Sequence, residues 1–166
     1  MEQLLIQNAQ AYATEHRLRL AERLGFGIHG IIFRTEGNPE MGDVATAIKV
    51  HRSQEAYLRE LAVYQRLKEA GTTKILGFNA PQLLGHDDEM WIIEMSIVTR
   101  PFVLDFAGAY LDMPPQFPDE TWAAWEAEKL DQFDVRWPKV QEILAILEEM
   151  DIHVVYVSPS NIAFVD

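Results

Sequence analysis

One lysine, one acid and three glycines carry the chemistry that this chain of 166 residues suggests. Gly25, Gly27 and Gly30 stand in the spacing G-x-G-x-x-G. Glycines at such spacing remove Cβ atoms from the path of a phosphate and offer backbone N–H groups to it. Lys49, in Thr46-Ala47-Ile48-Lys49, has apolar neighbours on the other face of a strand, which suits an ammonium held at a cleft. Downstream acids at Glu55 and Glu60 lie one helical turn apart, and either could pair with it. A dinucleotide-binding turn would need a helix to open directly after the last glycine. Ile31-Ile32-Phe33 follows instead, which reads as a strand and excludes that fold. The phosphate loop G-x-x-x-x-G-K-[ST] is absent. A glycine-rich hairpin that binds nothing is the alternative for the glycines alone, since turns collect glycine anyway.

The elements that must hold these residues follow from periodicity. Leu4, Leu5, Ile6, Ala9, Tyr12 and Ala13 predict an amphipathic helix over 2–14. From Arg17 the pattern changes to a strand, the glycine turn and a second strand, with a loop over Glu36–Asp43 and a third strand over Val44–His51. Ser53 is placed to cap a helix from about Gln54 to Ala70, and Gly71 to end it. Leu76–Leu84 reads as a loop and short strand, Asp87-Asp88-Glu89 as a turn, and Met90–Ile97 as an apolar strand carrying Glu94. Residues 102–134 have modest helical patterning and read as a loose helical region, Pro138–Met150 is a well-patterned helix, and Val154–Val157 with Ile162–Val165 read as a final hairpin. The expected class is α+β, with an antiparallel sheet in front and helices behind.

Composition narrows the function. With 48% apolar residues the chain can build a core, and with no cysteine it has no disulfides, thiolate metal site or cysteine nucleophile. A cytoplasmic address is therefore the expectation, and Met1-Glu2-Gln3 lacks the basic start of a secretory signal. No apolar run reaches the ~20 residues of a bilayer span. The net charge is −12 and is unevenly spread. Residues 1–100 hold eleven basic against thirteen acidic side chains, and residues 101–166 three against thirteen. Nucleic acid is thereby disfavoured as a partner, because phosphate binding needs a basic footprint.

Taken in order, these signals resemble the protein-kinase-like superfamily over residues ~17–166. Thr46-Ala47-Ile48-Lys49 is similar to the family's V-A-I-K strand, and Leu58-Arg59-Glu60-Leu61 to the helix whose Glu pairs with that Lys. On that match Glu60 is preferred over Glu55. Met90-Trp91-Ile92-Ile93-Glu94-Met95 resembles the strand that runs into the adenine-binding hinge, and Ser158-Pro159-Ser160-Asn161-Ile162 the end of the catalytic loop. The resemblance implies a leading helix (1–16), an antiparallel-sheet small lobe (17–98) and a shortened, acidic large lobe (99–166). It implies ATP as ligand, with Gly25, Gly27, Gly30, Lys49 and Glu60 around the phosphates. Ile32 and Ala47 would wall the adenine, while backbone groups from Glu94 through Ser96 to Ile97 would bind its edge. Mg²⁺ would fall to Asn161 and, in one of two readings, to Asp166; in the other reading Asp166 merely occupies a turn.

The same resemblance exposes a gap. Tyr156 stands where active members have the Asp that accepts the substrate's proton, and a neutral phenol is a poor base near neutrality. His153 and Asp151 are the nearby alternatives. The expected function is a catalytically impaired kinase-like domain that binds nucleotide weakly or not at all and acts through contacts with a protein partner. The acidic, Trp-rich segment Phe117–Trp137 is the expected contact surface. The alternatives are an active, atypical ATP-dependent phosphotransferase using another carboxylate, and a structural domain with no nucleotide site.

Overall fold

The computed structural model of the chain describes residues 1–37 and 42–166. Helix α1, Glu2–Glu15, buries Leu5, Ala9, Tyr12 and Ala13, spaced by the three- and four-residue steps of one helical face. Strands β1 (Arg19–Phe26), β2 (Gly30–Glu36) and β3 (Thr46–His51) lead into helix α2 (Gln54–Glu69). The Ala56 N–H donates to the Ser53 hydroxyl at 3.3 Å, satisfying a first-turn donor of α2. Just beyond its other end Gly71 adopts φ +65°, a left-handed conformation that a residue without Cβ reaches at little cost. Of the loop expected over Glu36–Asp43, residues 38–41 lie outside the described residues.

The chain continues through β4 (Lys74–Ile75), β5 (Phe78–Asn79), β6 (Leu83–Asp87), β7 (Ile92–Ser96), β8 (Phe102–Val103) and β9 (Tyr110–Leu111). Helices α3 (Asp119–Phe133) and α4 (Trp137–Glu149) follow, then β10 (Ile152–His153) and β11 (Ile162–Ala163). The main sheet has the order β1-β2-β3-β7-β6 and is antiparallel throughout. β3 lies at its centre with all six residues buried, because both faces of the sheet are covered. On one face α1 packs against Ile31, Phe33, Ile48, Val50 and Ile92. On the other a larger core runs from Ala47 and Leu61 to Ile143 and Ile162, so segments 17–98 and 99–166 share it. The architecture is α+β with mainly antiparallel pairing. Among the described residues no helix is long and apolar enough to cross a membrane.

One expectation needs correction. The run Val154–Val157 and Ile162–Val165 does not close a hairpin: β10 pairs with β9, and β11 pairs with β8. Short strands carry too few ladder bonds to fix their own partner, so burial of Val103, Ile152 and Ile162 decides it. Within the loosely helical region expected over 102–134, α3 runs for 15 residues. Its apolar periodicity is weak because only Lys129 and Phe133 are buried. The neighbouring aromatics do the packing: Trp125 stands edge-on to Trp137 at 5.6 Å and donates its indole N–H to the Val155 carbonyl at 2.8 Å.

Leu147 on α4 is fully buried, so Leu147→Ala should lower unfolding free energy by about 2–5 kcal/mol in urea titrations. Leu130 on α3 is 53% exposed, and its replacement by Ala should change that value by less than about 0.5 kcal/mol.

Candidate functional site

Strand alternation sets the site. Ala47, Lys49 and His51 point to one face of β3, while Ile48 and Val50 face α1. Burying Lys49 is tolerable only with partners, and it has two. Its Nζ lies 2.8 Å from Glu60 Oε2 on α2 and 3.0 Å from Asp105 Oδ1 in the segment after β8. Lys49 and Glu60 are almost wholly buried, with side chains 4% and 1% exposed, whereas Asp105 keeps 35% of its surface open. His51 adds a further contact: its Nε2 is 2.6 Å from Glu60 Oε2, and its Nδ1 is 3.0 Å from the Trp91 carbonyl oxygen. The Phe106 N–H donates to Glu60 Oε1 at 3.2 Å. Glu55 takes no part, being exposed and paired with Arg59 at 3.2 Å.

These contacts set the charge states. Burial pushes the Glu60 carboxyl up, but the Lys49 charge and the His51 hydrogen bond outweigh it and hold the pKa at about 2. Burial likewise pushes the Lys49 ammonium down, yet the charges of Glu60 and Asp105 win and leave it raised. His29, on the glycine turn, is lowered by burial, with the nearby Asp105 opposing the shift.

The pair lines a cleft of about 620 Å³, within the range of small-molecule sites. Ile32, Ala47, Met95, Phe102 and Leu104 give it apolar walls, and Ser96, Ile97 and Val98 also line it. Lys49, Glu60, Asp105, Ser160 and Asn161 are its polar lining, and the turn from Gly25 to Gly30 (hereafter the roof) lines it as well. The roof is closed by the Gly27 N–H donating to the Gly30 carbonyl at 3.0 Å, and is tied down by Arg52, whose Nε donates to the Gly27 carbonyl at 3.1 Å. Of the three glycines only Gly30 is demanded by the fold: a Cβ there would collide with the Val50 carbonyl oxygen on β3. At Gly27 a Cβ would meet nothing within 4 Å.

Most residues singled out in the sequence therefore come together: Gly25, Gly27, Gly30, Ile32, Ala47, Lys49, Glu60, Ser96 and Asn161 all line the cleft. Three do not. The Glu94 side chain turns to the opposite face of the sheet, where Tyr12 donates to it at 2.8 Å and Thr46 at 2.9 Å; alternation along β7 gives the cleft Met95 instead. Asp166 is 92% exposed and faces Arg100 at 3.7 Å, away from Asn161. Tyr156 is 58% exposed and packs on Gly108, where a Cβ would collide with its ring. His153 and Asp151 do not line the cleft either.

Asp105 is the residue that sequence reading missed. The signal was Leu104-Asp105-Phe106, an acid between apolar residues in a segment with little helical pattern. It adopts φ +70°, a left-handed conformation that Asp tolerates better than most residues. A scan against protein-family models matches none, and a search of curated proteins returns no similar sequence.

Glu60→Ala strips Lys49, His51 and the Phe106 N–H of a common acceptor and should cost about 3 kcal/mol or more in urea unfolding. Because the folded Glu60 pKa of about 2 lies below its ordinary 4.5, the pair's contribution is present above pH 4.5 and lost as pH falls from there toward 2. Thermal melts should show this acid-side loss, and Glu60→Gln should blunt it.

Proposed function

We propose that this chain is a kinase-like domain whose cleft takes a purine nucleotide, that it is impaired in phosphoryl transfer, and that it works through contacts with a protein partner. The observation that carries the reading is the buried Lys49–Glu60 pair, 2.8 Å apart, in a cleft lined also by a glycine turn and apolar walls. A lysine fixed on a strand by a helix-borne acid suits the α- and β-phosphates of a nucleotide. The apolar walls suit a flat base, with the backbone of Ser96–Val98 as its hydrogen-bonding edge.

Impairment rests on Tyr156. An exposed phenol stands where the resemblance calls for a base, and losing such a base typically forfeits about 10²–10⁴ in rate. Binding has no such demand. The partner reading rests on the outer side of α3 and the turn after it, where Leu130 is 53% and Val135 85% exposed amid acidic side chains. One observation favours a second reading, an active phosphotransferase using an unusual carboxylate: Asp105 is part of the polar lining of the cleft.

ATP at ten times its Kd should raise the melting temperature by about 3–6 °C for a chain of this size. Gly27→Ala should leave the melting temperature of the free protein unchanged, since its new Cβ meets no protein atom, yet reduce the ATP-induced rise. An absence of any shift at millimolar ATP, with and without Mg²⁺, would remove the nucleotide reading. Incubation with γ-labelled ATP and Mg²⁺ should leave protein and added acceptors unlabelled. Labelling that Lys49→Ala abolishes would instead establish the second reading.

A further inference from the structure

The ammonium that would hold phosphates is scarcely open to them. The Lys49 side chain is 4% exposed and that of Glu60 1%, whereas Asp105, the third member of the group, is 35% exposed. A ligand entering the cleft therefore meets a carboxylate before it meets the ammonium. Of the basic side chains among the described residues, only Lys49 and His29 line the cleft, and burial disfavours the charged form of His29. Against that one ammonium stand two carboxylates in the lining, Glu60 and Asp105. Both already support the Lys49 charge, so its positive field is satisfied within the protein.

Asp105 is also fixed in place. Its Oδ1 accepts from Lys49 at 3.0 Å, and its Oδ2 accepts from the Asn161 amide at 3.3 Å. Asn161 is held in turn, since the Ser158 and Ser160 hydroxyls donate to its amide oxygen at 2.7 and 3.1 Å. The main chain is anchored on either side of Asp105. The Leu104 N–H donates to the Asn161 carbonyl at 2.9 Å, continuing the β8–β11 pairing, and the Phe106 N–H donates to Glu60 Oε1 at 3.2 Å. A carboxylate bonded through both oxygens, on a backbone tied down before and after it, swings aside only by giving up those bonds. A phosphate can thus reach Lys49 only by displacing Asp105 or by crowding a third anion beside the two carboxylates, and like charges at that range repel.

We propose that Asp105 is a specificity-determining residue: it screens Lys49 from polyanions, and the cleft takes a purine nucleoside in preference to the corresponding triphosphate. An uncharged nucleoside keeps the apolar walls and finds hydrogen-bonding partners in Asp105, Ser160 and Asn161 without bringing a like charge to the site. A triphosphate sets its own negative charge against Asp105, so it still binds through its base but with lower affinity. This inference rests on the purine reading of the cleft, and the experiment separates their failures.

Isothermal titration of adenosine and of ATP, both in EDTA so that only the protein's own charges act, tests it on the unaltered chain, on Asp105→Asn and on Asp166→Asn. The unaltered chain should bind adenosine about tenfold tighter than ATP. Asp105→Asn keeps the shape of the side chain and removes its charge, so it should raise the ratio of ATP to adenosine affinity about tenfold. Asp166→Asn removes the same charge from a side chain that is 92% exposed and outside the cleft, and should leave that ratio as it was. ATP that binds the unaltered chain as tightly as adenosine or tighter, or a ratio that Asp105→Asn does not raise, would overturn the screening role while leaving the purine cleft standing. Failure of both ligands to bind any of these chains would overturn the cleft reading and this inference together. If Asp105→Asn does not fold, as judged by its melt, Asn161→Ala decides in its place. Freeing one oxygen of Asp105 should raise the ratio, and an unchanged ratio would count against the proposal.

Discussion

A buried carboxylate held by two side chains and a backbone amide is the constraint from which this structure is best understood. Glu60 lies within 2.8 Å of the Lys49 ammonium and 2.6 Å of the His51 ring, and accepts from the Phe106 N–H. A charge withdrawn from water is stable only if each lone pair finds a donor, and removing any one partner leaves the others exposed to the full desolvation cost. The network thus fastens three separate pieces of chain to one another: β3, α2 and the segment after β8. It also supplies part of the polar lining of the cleft, through Lys49, Glu60 and Asp105.

The opposite face of the sheet is held by different means. Glu94 lies there among hydroxyls, with Tyr12 from α1 and Thr46 from β3 donating to its two oxygens. Burial and the adjacent carboxylate push the Tyr12 phenol pKa up, so it remains a donor. Two buried acids on opposite faces therefore brace the sheet, one through an ammonium, an imidazole ring and a backbone N–H, and one through neutral O–H groups. Of the two, Glu60 lines the cleft, together with Lys49 and Asp105.

Much of this was legible in the sequence where a local rule governs. The helical stripes of α1, α2 and α4, the Ser53 cap and the Gly71 stop depend on neighbours within one or two turns, and all appear. The glycine turn was readable from local rules as well, whereas the choice of Glu60 over Glu55 came from the resemblance of Leu58-Arg59-Glu60-Leu61, and in the structure it is Glu60 that meets Lys49. Glu94 shows the limit of local rules. Its position on a strand was clear, but whether an acid faces the cleft or α1 depends on which face each helix covers.

The sequence by itself determined the longer helices and the strands of the main sheet, their order, and the placing of a lysine on a strand followed by an acid on a helix. These follow from interactions between residues close along the chain, where conformational entropy leaves few choices. Tertiary structure alone decided that β8 and β11 pair across a long stretch of chain, and that Asp105 rather than Asp166 stands beside Asn161. Two-residue strands have too little intrinsic preference to announce their partners, so their register is settled only when the helices between them pack and a shared core closes.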